Sequence, residues 1–196
     1  MRLFVAVNPS PAVGLRLMET INRLRPCAPS ARWVDPEALH VTLAFLGEAE
    51  VARVSQLEFA RVSRIRAALE NVAAAQTPFE IRTVGLGTFG PPRRPRVLWA
   101  GIAHREGDAL SLLHAATAAA LEPLGFAPEA RPFTPHITLA FAGSAGGDPA
   151  LAVCAAGPPE DYGTTSSTSL LVYSSIPGRP YGVIAVLPYG YRNSLS

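Results

Sequence analysis

A chain of 196 residues that is 48% hydrophobic can bury a good core, and no apolar run in it approaches the ~18 residues of a membrane-spanning helix. Its net charge of +2, carried by Arg with no Lys at all, is too small to imply nucleic acid by itself. Cys27 and Cys154 are far apart and form no CxxC pair, which argues against a metal knuckle and a disulfide framework, and the cytoplasm is the default location.

The amino end is too short in its apolar stretch for a secretory signal, so Leu3 to Val7 reads as a buried first strand. Pro11 to Leu24 predicts an amphipathic helix with Leu15, Met18, Ile21 and Leu24 inward, ended by Pro26 and Pro29. Arg32-Trp33-Val34 reads as a short strand, and His40 to Leu46 as a longer one closed by Gly47. A helix over Glu50 to Val72 follows, anchored by Val51, Val54, Leu57, Val62, Ile65 and Leu69. Phe79 to Val84 is the next strand, with Gly85, Gly87 and Gly90 after it. Arg93, Arg94 and Arg96 then crowd around three prolines, and a guanidinium fork suits phosphate oxygens.

The second half repeats this order. Val97 to Ile102 is a strand, and Asp108 caps a helix through Leu121 with Leu110, Leu113, Thr117 and Leu121 on one side. Gly125 stops it, and Arg131-Pro132-Phe133-Thr134-Pro135 leads into a strand from His136. Gly143 to Gly147 is a loop, Asp148 to Ala155 a short helix, and Ser169 to Ser174 and Tyr181 to Leu187 are strands. The expected class is α+β. It is a single bilobal unit over 1–196 with repeat halves at 1–90 and 95–190, in which two antiparallel-sheet lobes with outer helices flank a central cleft.

The duplication carries the chemistry. His40-Val41-Thr42-Leu43-Ala44-Phe45 and His136-Ile137-Thr138-Leu139-Ala140-Phe141 are two copies of one strand motif. Leu3 to His40 is 37 positions and Val97 to His136 is 39. Period-two alternation puts His40, Thr42 and Ala44 on one face and Val41, Leu43 and Phe45 on the other, and divides the second copy the same way. A lone strand histidine is usually structural; two presented alike suit one acid and one base on a single phosphate. His114 reads as structural and His104 as surface. Phe45, Phe133 and Phe141 read as core, although Phe133, in its Pro-flanked loop, could stack on a nucleobase. Neither motif has an Asp, Glu or Cys beside it to complete a metal site.

These two His-x-Thr-Leu motifs, each preceded by a strand–helix unit, resemble the 2H phosphoesterase family, and most closely its RNA 2′,3′-cyclic phosphodiesterase branch, historically called 2′-5′ RNA ligase. Arg2-Leu3-Phe4-Val5-Ala6, Arg32-Trp33-Val34, Phe45-Leu46-Gly47, Pro92 to Trp99 and Arg131 to Pro135 support the likeness. The resemblance implies both histidines in one groove, no metal and no cofactor, acting on RNA ends or nucleotides that carry a 2′,3′-cyclic phosphate. A monomer without membrane contact is expected. Many members carry Arg at the fifth position after the second motif histidine, where this chain has Phe141. Arg131, then Arg94, are the candidates to hold phosphate instead.

Opening a ribose 2′,3′-cyclic phosphate needs water deprotonated and the departing 3′ oxygen protonated. Two imidazoles near their ordinary pKa of roughly 6.5 can do both. Thr42 and Thr138 can donate to the non-bridging oxygens. By resemblance His40 protonates the 3′ oxygen and His136 activates water; the residues alone leave that open, since the copies look equivalent. The product would be a 2′-phosphate, and attack by a 5′-hydroxyl in place of water would join RNA reversibly through a 2′-5′ link. The alternatives are a non-catalytic RNA-end binder, or a phosphodiesterase acting on another cyclic or 2′-5′-linked nucleotide.

Overall fold

Nine strands and four α-helices organise the computed structural model, which describes residues 2–48, 56–104 and 107–190. In chain order these are β1 (Arg2–Val7), α1 (Pro11–Leu24), β2 (Arg32–Trp33), β3 (Val41–Glu48), α2 (Gln56–Ala75), β4 (Phe79–Phe89), β5 (Val97–Ile102), α3 (Ala109–Leu121), β6 (His136–Phe141), α4 (Pro149–Ala155), β7 (Asp161–Ser167), β8 (Ser169–Ser175) and β9 (Gly182–Pro188). The strands form one antiparallel sheet in the order β7-β4-β5-β6-β3-β1-β8-β9, with β2 on β6. Two lobes meet at its middle, where β3 and β6 share one Cα pair, Val41 opposite Ile137. The lobes exchange strands: β4 pairs with β5 and β7, while β8 and β9 extend the sheet beyond β1.

The helices follow from their caps and their apolar spacing. Ser10 accepts from the Val13 amide to start α1, and Asp108 accepts from the Ser111 amide to start α3. In α3 the four expected positions, Leu110, Leu113, Thr117 and Leu121, are all buried. In α1 the buried stripe is Val13, Leu17, Thr20 and Ile21, while Leu15 is 68% exposed. The stripe is therefore rotated about the helix axis from the one expected. For the helix expected from Glu50, positions 50–55 lie outside the described residues; Ile65 and Leu69 are buried as expected, and the side chains at 51, 54 and 57 are not among those described.

Two expectations about strands are corrected. First, β4 runs on through Gly85 and Gly87 to Phe89 instead of stopping at Val84. A Cβ on Gly87 would lie 2.2 Å from Trp99 Cη2, so this glycine is the gap that lets the indole of the neighbouring strand lie against the backbone. Second, strict alternation fails in both motif strands. Val5 pairs with Ala44 and Ala6 with Thr42, leaving Leu43 as an extra residue; Leu98 pairs with Ala140 and Trp99 with Thr138, leaving Leu139 extra. A bulge at the same motif position therefore puts two successive residues on the core side. Leu43 and Ala44, like Leu139 and Ala140, turn inward, and Phe45 and Phe141 are delivered to the cleft side.

Candidate active site

Val41 and Ile137 are both buried on the core side of the seam. The residues one step away on either strand, His40, Thr42, His136 and Thr138, therefore project from the opposite face of the sheet. All four are half-buried.

Both imidazoles are held by the same local device. His40 Nδ1–H donates to the Ala38 carbonyl at 2.7 Å, and His136 Nδ1–H donates to the Thr134 carbonyl at 2.7 Å. A carbonyl only accepts, so Nδ1 must carry the proton in each ring. That fixes the tautomer of the neutral ring with its basic lone pair on Nε2, the nitrogen directed away from the local backbone.

Aromatic walls enclose each ring. Around His40 stand Phe4, with ring centroids 4.7 Å apart, and Tyr181 and Tyr173, at 5.6 and 6.2 Å. Around His136 stand Phe89, edge-on at 4.7 Å, and Trp99 at 6.1 Å. These walls set the electrostatics. Burial pushes the His40 imidazole down to about 4, with the Ala38 carbonyl pulling the other way and His136 adding to the depression. His136 is also pushed down, by burial first, while the Thr134 carbonyl and the Glu129 carboxylate oppose it. Two imidazoles near 6.5 were expected; an aromatic enclosure invisible in the motifs makes both less basic.

The remaining expected residues occupy distinct surroundings. Arg131 is 86% exposed in the loop before β6, 3.7 Å from Glu129. Arg94 stands beside the loop that precedes α4, its guanidinium near Gly146 and its charge felt by Asp148. Phe133 packs against the core and lies flat on His114, centroids 3.9 Å apart, so one of its faces is taken. His114 is structural as expected, with Nδ1–H donating to the Leu43 carbonyl at 2.8 Å, and His104 binds the Asp108 carboxylate at 3.1 Å. Phe45 and Phe141 were expected in the core, but they are 62% and 36% exposed on the cleft side because of the bulges.

The motifs give no sign of a further cleft-side residue on β2. Arg32 sits directly opposite Phe141 in the β2–β6 ladder, its guanidinium carbon 5.4 Å from the ring centroid. Among the described residues no three His, Cys, Asp or Glu side chains come together as a metal cage, and no helix is long and apolar enough to cross a membrane.

The family model described as the 2′-5′ RNA ligase superfamily matches residues 11–168. An RNA 2′,3′-cyclic phosphodiesterase of Geobacillus stearothermophilus is 39% identical over 112 residues, a stretch covering 57% of this chain and 32% of that relative. The crystal structure of TT0787 of Thermus thermophilus superimposes with a TM-score of 0.76 at 27% identity, covering 97% of this chain and 98% of the other. The structure of Escherichia coli LigT complexed with 3′-AMP gives a TM-score of 0.69 at 25% identity, covering 96% and 97%.

Proposed function

Since the chain belongs to the 2′-5′ RNA ligase superfamily, we propose that it is an RNA 2′,3′-cyclic phosphodiesterase that opens cyclic phosphate ends to 2′-phosphates by metal-independent acid and base catalysis. The observation that carries this reading is the matched anchoring of His40 and His136, each with Nδ1–H on a backbone carbonyl and Nε2 left for the reacting atoms. One Nε2 takes the proton of the attacking water and the other gives a proton to the departing 3′ oxygen. Thr42 and Thr138 flank the same seam and donate to the non-bridging oxygens, where negative charge builds. Phe45, brought to the cleft by its bulge and 6.3 Å from Phe4, offers an exposed apolar ring beside the first motif. Relatives of this name and the 3′-AMP complex of a structural neighbour support a nucleotide ligand. With a 5′-hydroxyl in place of water as the nucleophile, and the 3′ oxygen again leaving, the same groove would join RNA through a 2′-5′ bond, a step that is itself reversible.

The test is turnover of a nucleoside 2′,3′-cyclic phosphate in the presence of a chelator, with product identified by phosphorus NMR. A 2′-phosphate formed at an undiminished rate is expected. A 3′-phosphate, or activity abolished by the chelator and restored by metal, would overturn the reading.

A further inference from the structure

A phosphodiester gains negative charge on its non-bridging oxygens as water attacks, and two neutral threonine hydroxyls are a weak counterweight for it. A fixed cation on the cleft face is what the chemistry asks for, and β6 itself, with Phe141 as its next cleft-side residue after Thr138, supplies none.

The register of β2 on β6 supplies one from the other strand. Trp33 lies opposite Ala140, and both go to the core: Trp33 packs against the main cluster and Ala140 is fully buried. Arg32 and Phe141, the adjacent pair, therefore share the opposite side. Phe141 is there because the bulge at Leu139 shifts the phase of β6, so the cleft-side order along that strand is His136, Thr138, Phe141. Arg32 thus stands on the same side as the two motif residues, supported on the Phe141 ring at cation–π distance. Among the described residues no carboxylate pairs with it. Of the other two candidates, Arg131 lies 3.7 Å from the Glu129 carboxylate, and Arg94 stands against the loop that precedes α4, beside Gly146. A guanidinium with no carboxylate partner keeps its donors for a phosphate oxygen.

We propose that Arg32, seated on Phe141, is the cation that binds the scissile phosphate in this chain. The charge is supplied across the ladder, from β2 rather than from β6, and the aromatic ring at 141 positions it. This rests on the phosphodiesterase reading above and adds the residue that grips the phosphate.

Kinetics on a nucleoside 2′,3′-cyclic monophosphate test it. Arg32→Ala and the longer neutral Arg32→Gln are each expected to lower kcat/KM by about ten- to a hundredfold, the scale of a lost hydrogen bond to a charged group. Arg32→Lys should recover part of the loss. Phe141→Leu should cause a smaller loss that adds little to that of Arg32→Ala, since the ring acts through the guanidinium. Phe141→Arg placed in the Arg32→Ala background should restore activity, which a merely structural role for Arg32 would not allow. Direct binding separates this inference from the reading beneath it: Arg32→Ala should weaken a nucleoside 2′-monophosphate and leave the unphosphorylated nucleoside unchanged. If wild type turns over and Arg32→Ala matches it on the mononucleotide, the inference is overturned and the phosphodiesterase reading stands. A loss confined to oligonucleotides, or one produced by Arg131→Ala and not by Arg32→Ala, also overturns it. If wild type shows no turnover, the phosphodiesterase reading fails, and 2′-monophosphate binding alone decides Arg32.

Discussion

Val41 and Ile137 are the Cα partners that join the two motif strands, and the ladder between β3 and β6 carries no second pair. Each lies one residue after a motif histidine. The seam that joins these strands is therefore also the ruler that spaces the imidazoles, and a change on its buried side should be felt on the other. Ile137→Ala leaves a void where the side chain is 1% exposed and should cost about 2–4 kcal/mol. It should also lower kcat more than it raises KM, because the acid and base lose their mutual spacing while the walls of the cleft remain. Chemical denaturation and steady-state kinetics on the same preparation check both. An unchanged kcat in a destabilised variant would uncouple the seam from the chemistry.

His40→Ala and His136→Ala should each lower turnover by about two to four orders of magnitude. The double variant should be little worse than the worse single, because an acid and a base serving one step act as a unit. Near-wild-type turnover in either single variant would remove that histidine from the mechanism.

Much of this site was legible in the sequence, and the parts that were not share a cause. The paired His-x-Thr strands, the first helix from Pro11 to Leu24 and the Asp108 cap are local patterns, and the structure has them where they were expected. The bulges were not legible, because HVTLAF and HITLAF alternate well enough to hide an extra residue. Only the partner register, Ala6 to Thr42 and Trp99 to Thr138, exposes it. This one hidden feature moved Phe45 and Phe141 from the core to the cleft. Arg32 was hidden for the same reason, since its neighbour across the ladder is 109 positions away in the chain. Strand β7, Asp161–Ser167, went unexpected because its Gly, Ser and Thr residues read as turn chemistry, and only its pairing with β4 makes them a strand. The exchange of β4 and β8 between lobes is likewise a fact of pairing and not of composition.

Gly87 is a local test of the aromatic wall. Gly87→Ala would place a methyl 2.2 Å from the Trp99 ring, in a strand where the backbone cannot readily yield. Overpacking of this kind costs about 1–3 kcal/mol. Trp99 must move, and with it one wall of His136. Lower thermal stability with a raised apparent pKa for His136, as water reaches the ring, is expected; proton NMR of the imidazole across pH reads the second. A stable variant with an unmoved His136 titration would show that the wall tolerates displacement.

Burial of the two imidazoles also predicts a pH optimum. Both rings are pushed below their ordinary 6.5, so at neutral pH the free cleft holds two neutral histidines, whereas the reaction needs one of them protonated. The singly protonated free form is most abundant between the two values. The profile of kcat/KM should therefore be a bell whose maximum lies below pH 6.5, falling about tenfold per pH unit on its alkaline side. The bound phosphate carries negative charge and favours the imidazolium, so the kcat profile should sit at higher pH than the kcat/KM profile. A kcat/KM maximum at or above pH 7.5 would mean that the aromatic walls do not depress these groups.

The same burial makes catalysis and acid stability oppose each other. In the folded chain His40 takes up its proton only near pH 4, while in the unfolded chain it does so near 6.5. Between those values the unfolded state binds more protons, so stability falls as pH falls. The contribution is present in full above pH 6.5 and is lost progressively on the way to pH 4. His40→Phe keeps an aromatic ring among Phe4, Tyr173 and Tyr181 and has nothing to protonate. It should abolish turnover and, relative to wild type, gain about 1–3 kcal/mol between pH 7.5 and pH 4.5, whatever its stability at the higher value. Urea denaturation of the two proteins at a series of pH values measures that difference directly. Parallel stability curves would show that His40 titrates alike in the folded and unfolded chains, and the walls around it would then have no hold on its charge.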